Sequence, residues 1–362
     1  MGGSQAGEQA DHPAVAGDEP STDGPDQEDR TASALSTPDG HVPVLVRRVD
    51  ELLAPAIEAA TRSGARDVVL VDATLGMGGH TLALLRAHPG LRVIGIDRDP
   101  QALRIAEQRI ADAALADRVE LVHAVYDRIG EVISERIAAG RVQAILFDLG
   151  VSSVQLDESD RGFAYAQDAP LDMRMDPTTG ITAADVINTY PGAELTRILR
   201  EYGEERFAGR ISKVLVAERA RQPFTTSARL VELVRAAIPA ATRRTGGNPA
   251  KRTFQALRIE VNDELGALRR AIPSALQHLS LAGRIVVMSY QSLEDRIVKR
   301  AIAPLTVSTT PLDLPVELAG HDPEFAWLSR GAEIPTEDEI QANPRAASAR
   351  LRAAQRIREA TS

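Results

Sequence analysis

The sequence predicts an α/β protein: a doubly wound, Rossmann-like parallel sheet with an inserted all-helical segment and a disordered acidic N-terminal tail. Three observations predict it. Aliphatic runs of strand length alternate with stretches of helical spacing between residues 67 and 149, and parallel neighbours need crossovers of that kind. The alternation then stops until a last aliphatic run at 283–290. A glycine-rich turn, Gly76-Met-Gly78-Gly79, follows the first run. Such a turn lets the backbone approach a ligand and aims the N–H groups of the next helix at it.

The tail opens the chain. The net charge is −9, yet residues 1–40 hold nine of the 51 acids and one, Arg30, of the 42 bases. The rest is near neutral. The tail is rich in Gly, Pro, Ser, Asp and Gln and nearly lacks large apolar groups, so burial cannot offset the entropy of ordering it. It reads as a solvating appendage. The whole chain is 43% hydrophobic and 26% charged, the balance of a globular protein, and it is long enough for a sizeable core. No apolar run approaches the roughly 18 residues of a membrane span, and no basic-then-apolar leader opens the chain. A cytoplasmic protein away from the membrane is expected. The absence of cysteine excludes disulfides, thiolate metal sites and a cysteine nucleophile. No compact cluster of metal ligands stands out, so no metal is expected.

The elements follow in order. Helical spacing over 50–60 places Leu52, Leu53 and Ile57 on one face. Strands are expected at 67–73, 91–97, 119–123 and 144–149, with helices at 82–87, 100–113 and 129–138 between them. From residue 154 to 271 no strand is expected. Helices are read there at 183–188, 193–202, 204–219, 227–237 and 253–271, with Thr226 or Ser227 as the cap of the fourth. The sheet resumes at 283–290 after a glycine stop. Ser292-Leu-Glu-Asp295 resembles a capping box opening a helix to 301. Short proline-punctuated strands and a basic helix near 346–358 complete the chain. The expected division is a tail over 1–40, a sheet domain over 41–157 and 273–362, and an inserted helical domain over 158–272.

The chemistry gathers at strand ends. Gly76, Gly78 and Gly79 do not complete Gly-x-Gly-x-x-Gly, because residue 81 is Thr, so a nicotinamide dinucleotide is weakly supported. No P-loop Lys follows, which argues against a nucleoside triphosphate. Asp97 ends the second strand about where an acid meets ribose hydroxyls in such folds; the alternative is an acid merely solvated at a strand end. Tyr126, after the third strand, either covers an adenine face or packs in the core. Asp148 ends the fourth strand. Asp72, Asp97 and Asp148 are expected around one pocket, since carboxyl ends of central strands border the ligand crevice. Three acids suit a hydroxyl-rich ligand with a positive group, which fits the sulfonium nucleoside S-adenosylmethionine.

Separated motifs carry a resemblance: His41-Val-Pro-Val-Leu, Asp72-Ala-Thr-Leu-Gly-Met-Gly-Gly-His80, Gly95-Ile-Asp-Arg-Asp99, Phe147-Asp-Leu-Gly-Val-Ser-Ser-Val-Gln-Leu-Asp157, Pro170-Leu-Asp-Met-Arg-Met-Asp176, Gly203-Glu-Glu-Arg206, Pro249-Ala-Lys-Arg-Thr-Phe-Gln-Ala-Leu-Arg-Ile259, Ser292-Leu-Glu-Asp-Arg-Ile-Val-Lys299 and Asn343-Pro-Arg345. Together, over about residues 41–358, the chain resembles the bacterial ribosomal RNA small subunit methyltransferase H family (RsmH, or MraW). The resemblance implies a class I methyltransferase sheet and methyl transfer from S-adenosylmethionine to N4 of a cytidine in the decoding centre of 16S rRNA. It carries donor-binding roles onto Gly78, Gly79, His80, Asp97, Tyr126 (where the family usually has Phe), Asp148 and Gln155. Asn248 and Gln291 stand where the family usually has His, which puts in doubt any mechanism needing a histidine at either position.

A delocalised amino group is a poor nucleophile, so acceptors for its protons are useful. Asp148 and the carbonyls of 149–152 are the candidates, with pure donor binding as the alternative role of Asp148. Lys251, Arg252 and Arg258 are the candidate contacts to RNA, with Arg243-Arg244 before them. The arginines 345, 350, 352, 356 and 358 form a second candidate surface. Each alone is also readable as a solvated face. The expected partner is 16S rRNA within the small ribosomal subunit, with a homodimer left open. A methyltransferase acting on DNA or protein, or a donor-binding protein without catalysis, are the competing readings.

Overall fold

A computed structural model describes residues 1–2, 43–152, 155, 158–164, 168–239, 248–311, 318 and 320–359. The acidic tail beyond its first two residues, His41 and Arg243-Arg244 lie outside the described residues.

Among the described residues the strands form one sheet in the order β3-β2-β1-β4-β5-β7-β6. They are β1 (Val68–Asp72), β2 (Leu91–Asp97), β3 (Val119–His123), β4 (Val142–Asp148), β5 (Leu279–Ser289), β6 (Phe325–Trp327) and β7 (Arg350–Arg356). β1 to β5 pair in parallel; β7 runs antiparallel to both β5 and β6. The order turns back at β1 and β4, so their carboxyl ends flank the crevice where a ligand sits in such sheets.

Helices cover both faces. On one lie α1 (Val46–Arg62) and α2 (Gly79–Ala87), whose Leu52, Leu53, Ile57, Leu84 and Leu85 pack on Leu70, Leu146 and Val286. α3 (Pro100–Asp112) starts from Asp99, whose side chain accepts the Gln101 N–H, with Pro100 in the first turn. On the other face are α4 (Ile129–Arg136) and two helices from after the fourth strand. Those are α10 (Glu264–Gln277) and α11 (Ser292–Ile302), and they bury Leu268, Ile272, Val298 and Ile302 against Ile145, Phe147 and Val287.

Between β4 and β5 stand α5 (Ala183–Thr189), α6 (Gly192–Glu201), α7 (Ala208–Arg219), α8 (Ser227–Ala237) and α9 (Lys251–Asn262). They gather around their own core of Ile187, Leu195, Ile198, Leu215, Phe224 and Leu257. Where α9 passes the end of α6, a Cβ on Gly203 would stand 2.6 Å from the Arg252 carbonyl oxygen, so only glycine lets the helices approach this closely.

Five expectations need correction. The helix expected over 253–271 is two, α9 and α10, because Asp263 takes a left-handed conformation (φ +47°). The helix expected from residue 204 begins at Ala208, since Glu204 is also left-handed. The cap of α11 is Gln291 with Glu294, not Ser292. The basic helix expected near 346–358 is strand β7, preceded by a short 3-10 turn at Pro344–Ser348. Its Ala- and Arg-rich composition favours helix, but pairing on both edges overrides that preference. The last strand of the core also begins earlier than expected, at Leu279. No helix among the described residues is long and apolar enough to cross a membrane.

Candidate functional site

The β1–α2 turn is shaped by two left-handed glycines, Gly76 (φ +54°) and Gly78 (φ +77°). The Leu75 N–H donates to the Ile96 carbonyl at 3.0 Å and the Gly78 N–H to the Leu75 carbonyl at 2.8 Å, which ties the turn to β2. Gly95 is part of this fit: a Cβ there would meet Leu75 Cδ1 at 2.8 Å. Gly79 faces Pro43, whose Cγ would lie 2.8 Å from an added Cβ. Gly78 turns its Cα towards Ala106 of α3, so it shapes the turn, while Gly79 and His80 line the cleft above it.

The cleft encloses about 480 Å³, within the range of small-molecule and cofactor sites. Asp97 lines it. Its Oδ2 accepts the Gly76 N–H at 2.7 Å and its Oδ1 the Asp99 N–H at 2.8 Å. A carboxylate has about four acceptor positions, so each oxygen retains one for a ligand hydroxyl. Burial pushes the Asp97 carboxyl up to about 6 despite those two hydrogen bonds. The Tyr126 ring also lines the cleft. Its other side meets Phe147 edge-on at 5.8 Å between centroids, and its hydroxyl donates to the Glu264 carbonyl at 3.0 Å. Tyr126 thus packs on the core with one side of its ring and lines the cleft with the other.

Asp148 enters from the end of β4. Its backbone N–H donates to Thr74 Oγ1 at 2.6 Å. Its Oδ1 accepts the Tyr290 hydroxyl at 2.8 Å, and its Oδ2 lies 3.4 Å from His80 Nε2. Gln155 reaches the cleft from the loop that follows. Its Oε1 accepts the Ser152 N–H at 3.0 Å, and its Nε2 donates to Asp99 Oδ2 at 3.0 Å.

The expected trio of acids is not reproduced. Asp97 and Asp148 line the cleft, but Asp72 is 1% exposed and turned into the fold. Its Oδ2 accepts the Thr81 hydroxyl at 2.8 Å, and burial raises its pKa. It joins β1 to α2 instead of meeting a ligand.

α9 forms the opposite wall with Lys251, Gln255 and Arg258. The three cations expected to meet RNA are placed differently from one another. Lys251 is exposed at the cleft rim. Arg252 is exposed outside it and donates to the Glu204 carbonyl at 3.1 Å. Arg258 lies deeper and grips Glu264 with two hydrogen bonds of 2.8 and 2.9 Å, so its charge is already matched within the protein. Of the C-terminal arginines, only Arg345 lines the cleft. Arg352 pairs with Asp295 at 2.6 and 3.0 Å, Arg356 donates to the Leu276 carbonyl and Arg358 to that of Asp322. Arg350 is exposed at the start of β7, whereas Arg352 and Arg356 are buried, so these arginines do not form one shared surface.

Asn248 makes the turn before α9, its Oδ1 accepting the Ala250 N–H at 2.9 Å. Gln291 lines the cleft, its Nε2 donating to Glu294 Oε1 at 3.0 Å. Sequence reasoning passed over Tyr290 as a site residue. Its position directly after an aliphatic strand, in a sheet where strand ends bear the site, was the available signal. Among the described residues no group of three or more His, Asp or Glu side chains is placed to hold a metal ion.

Comparison with known proteins adds a family. The sequence profile of the MraW methylase family matches residues 39–357. The ribosomal RNA small subunit methyltransferase H of Saccharopolyspora erythraea is 61% identical over 335 residues, 92% of this chain and 99% of its own. The protein of the same name from Thermobifida fusca is 61% identical over 319 residues, 88% of this chain and 94% of its own. Among solved structures, an rRNA methylase from Streptococcus thermophilus overlaps 88% of this chain and 99% of its own at 13% identity and a TM-score of 0.40, a likeness too distant to argue from.

Proposed function

Since the chain belongs to the MraW methylase family, we propose that it transfers a methyl group from S-adenosylmethionine to the exocyclic N4 of a cytidine in the decoding centre of 16S rRNA. The observation that carries the reading is the shared cleft of Asp97 and Asp148, with the Gly79–His80 turn between them. The residues present fit the donor. Asp97 keeps free acceptor positions for two ribose hydroxyls. Tyr126 offers a ring for adenine, and Gln155 closes the wall beside it. The backbone of Gly79 and His80 opens α2 and presents its first N–H groups to the donor. When bound, the donor supplies an electrophilic methyl on a positive sulfur.

The protein's part is alignment. Holding nucleophile and methyl in line lowers the barrier by up to roughly 7–11 kcal/mol. Asp148 stands at the acceptor side of the cleft, where its carboxylate receives an amino proton and helps the nitrogen pyramidalise. The target base leaves its stack to reach the cleft. The helices α5–α9 lie beside it and grip the surrounding RNA, Lys251 at the rim and Arg252 outside it meeting phosphates. Small ribosomal subunits place this work in the cytoplasm.

The test is transfer of labelled methyl from the donor to purified small subunits, followed by mass mapping of the nucleoside. N4-methylated cytidine in 16S rRNA is expected. Label on DNA or protein, or donor binding with no transfer to any of the three, would reject the reading. The near-neutral body after the acidic tail favours a shaped particle as substrate; equal rates on naked rRNA would overturn that part.

A further inference from the structure

Three linked side chains in the cleft make contacts with one another that donor binding does not by itself account for. Tyr290 Oη donates to Asp148 Oδ1 at 2.8 Å, and Asp148 Oδ2 lies 3.4 Å from His80 Nε2. All three line the cleft. His80 is 6% exposed, and neither of its ring nitrogens has a hydrogen-bond partner among the described residues. Leaving a buried polar group unpaired costs about 1–3 kcal/mol. Beside a ligand cleft, these nitrogens leave His80 able to take a proton or a partner from the Asp148 side.

Tyr290 is firmly held. Its backbone N–H donates to Glu294 Oε2 at 2.8 Å. Its ring lies over Gly150, where φ is +112° and a Cβ would stand 3.2 Å from Tyr290 Cδ2. Burial and the Asp148 carboxylate push its phenol well above the ordinary range, so the hydroxyl keeps its proton and remains a donor. Neighbouring acids are occupied elsewhere. Asp72 accepts the Thr81 hydroxyl, Glu294 the Tyr290 and Gln291 N–H groups, and Glu339 the Leu45 N–H.

Resting on the proposed transfer to an exocyclic amine, we propose that Tyr290 is a positioning residue and His80 a proton acceptor. The Tyr290 hydroxyl fixes one oxygen of Asp148 so that the other faces both the acceptor amine and His80. The amine lone pair forms the new N–C bond while the C–S bond breaks, its electron pair leaving on sulfur as a neutral thioether. The nitrogen then sheds one proton, which passes to Asp148 Oδ2 and on to His80 Nε2. Imidazole is suited to take a proton near neutral pH.

The test uses the full chain with Tyr290→Phe, His80→Gln and the double variant, in single turnover on small subunits. Infrared spectra of aspartate-labelled protein are taken alongside. Tyr290→Phe should slow transfer about tenfold and His80→Gln about 100-fold, each with donor Kd within about twofold of wild type. The double variant should be no more than about threefold slower than His80→Gln, because residues acting through one group are not additive. The carboxylate band of Asp148, assigned by its loss in Asp148→Asn, should shift in Tyr290→Phe. A full-rate Tyr290→Phe, multiplying losses or an unshifted band would overturn the assignment. Rates are read on whichever methylated product mass mapping identifies. A product other than N4-methylcytidine therefore refutes the acceptor, while the cycle still decides the roles of Tyr290 and His80.

Discussion

Arg258 and Glu264 face each other across the break between α9 and α10, Nε to Oε1 at 2.8 Å and Nη2 to Oε2 at 2.9 Å. The side chains are 19% and 7% exposed, so the pair is largely out of water. Burial works against the guanidinium charge, but the charge and hydrogen bonds of Glu264 win and hold its pKa above the ordinary value. Removing one partner of such a pair strands the other. Arg258→Ala should therefore destabilise the fold by about 3–5 kcal/mol, read as a lower urea midpoint. Arg258→Ala with Glu264→Ala should lose less than the two single losses combined. An unaltered midpoint in Arg258→Ala would show that the pair contributes nothing to the α9–α10 junction.

Asp97 gives a pH dependence with a definite sign. Its carboxyl is raised from 3.8 to about 6 by burial. Between those values the folded protein binds a proton that the unfolded chain does not. This group's contribution to stability is thus complete below 3.8 and is lost as pH rises through about 6. In the proposed ribose site donor binding should run the other way, since only the carboxylate would accept both ribose hydroxyls. Donor affinity should be level above pH 6 and fall by up to about tenfold per pH unit below it. Calorimetric titration from pH 5 to 8 checks this. A Kd that stays constant across that range would remove Asp97 from the ribose site.

Lys251 and Arg252 open α9 beside the cleft, and both are exposed. If they neutralise two phosphates, Lys251→Ala with Arg252→Ala should weaken binding to rRNA and flatten its salt dependence. The slope of log K against log salt should become less steep by about 1.5. Filter binding at several salt concentrations measures it. The urea midpoint should hardly move, in contrast to Arg258→Ala, because exposed charges contribute little to stability. An unchanged slope would place the RNA elsewhere on the molecule.

The sheet was legible wherever strand and crossover signals were local. The expectations for β2 and β3, residues 91–97 and 119–123, match the structure, and those for β1 and β4 differ by at most two residues at either end. Gly76 to Asp97 could be read because each residue's role follows from a turn and a strand end close in sequence. What failed depends on distant partners. Asp72 resembles Asp97 in sequence, but Thr81 Oγ1 turns it inward. Arg352 and Arg356 of β7 look like part of a basic surface, but Arg352 turns to Asp295 of α11 and Arg356 to the Leu276 carbonyl of α10, while Arg350 stays exposed. Arg258 looked available until the left-handed Asp263 brought Glu264 opposite it. Tyr290 is 142 residues from Asp148 in the chain, and only the parallel pairing of β4 with β5 brings them together.

Asp99 links the start of α3 to Gln155 at the cleft and to Arg161. It is fully buried. Its Oδ1 accepts the Gln101 N–H at 3.0 Å and caps α3. Its Oδ2 accepts from Arg161 Nη2 at 2.9 Å and Gln155 Nε2 at 3.0 Å. Arg161 in turn donates to the Met175 carbonyl at 2.8 Å, which holds the loop that leads into α5 against the cleft. Asp99→Ala should lose about 1 kcal/mol from the cap and leave Arg161 buried without its counter-charge, for a fall of at least about 3 kcal/mol. Asp99→Ser restores the cap but not the partner of Arg161, so it should recover only the smaller part. Asp99→Asn keeps the cap oxygen but turns an amide N–H₂ towards two donors, and should be little better than Ala. Because Gln155 loses its anchor in all three, donor Kd should rise in each. Gln155→Ala should raise donor Kd with little effect on the urea midpoint, which separates the two roles. If Asp99→Ala lowered the midpoint yet bound donor with wild-type Kd, Gln155 would need no anchor, and the network would serve the fold alone.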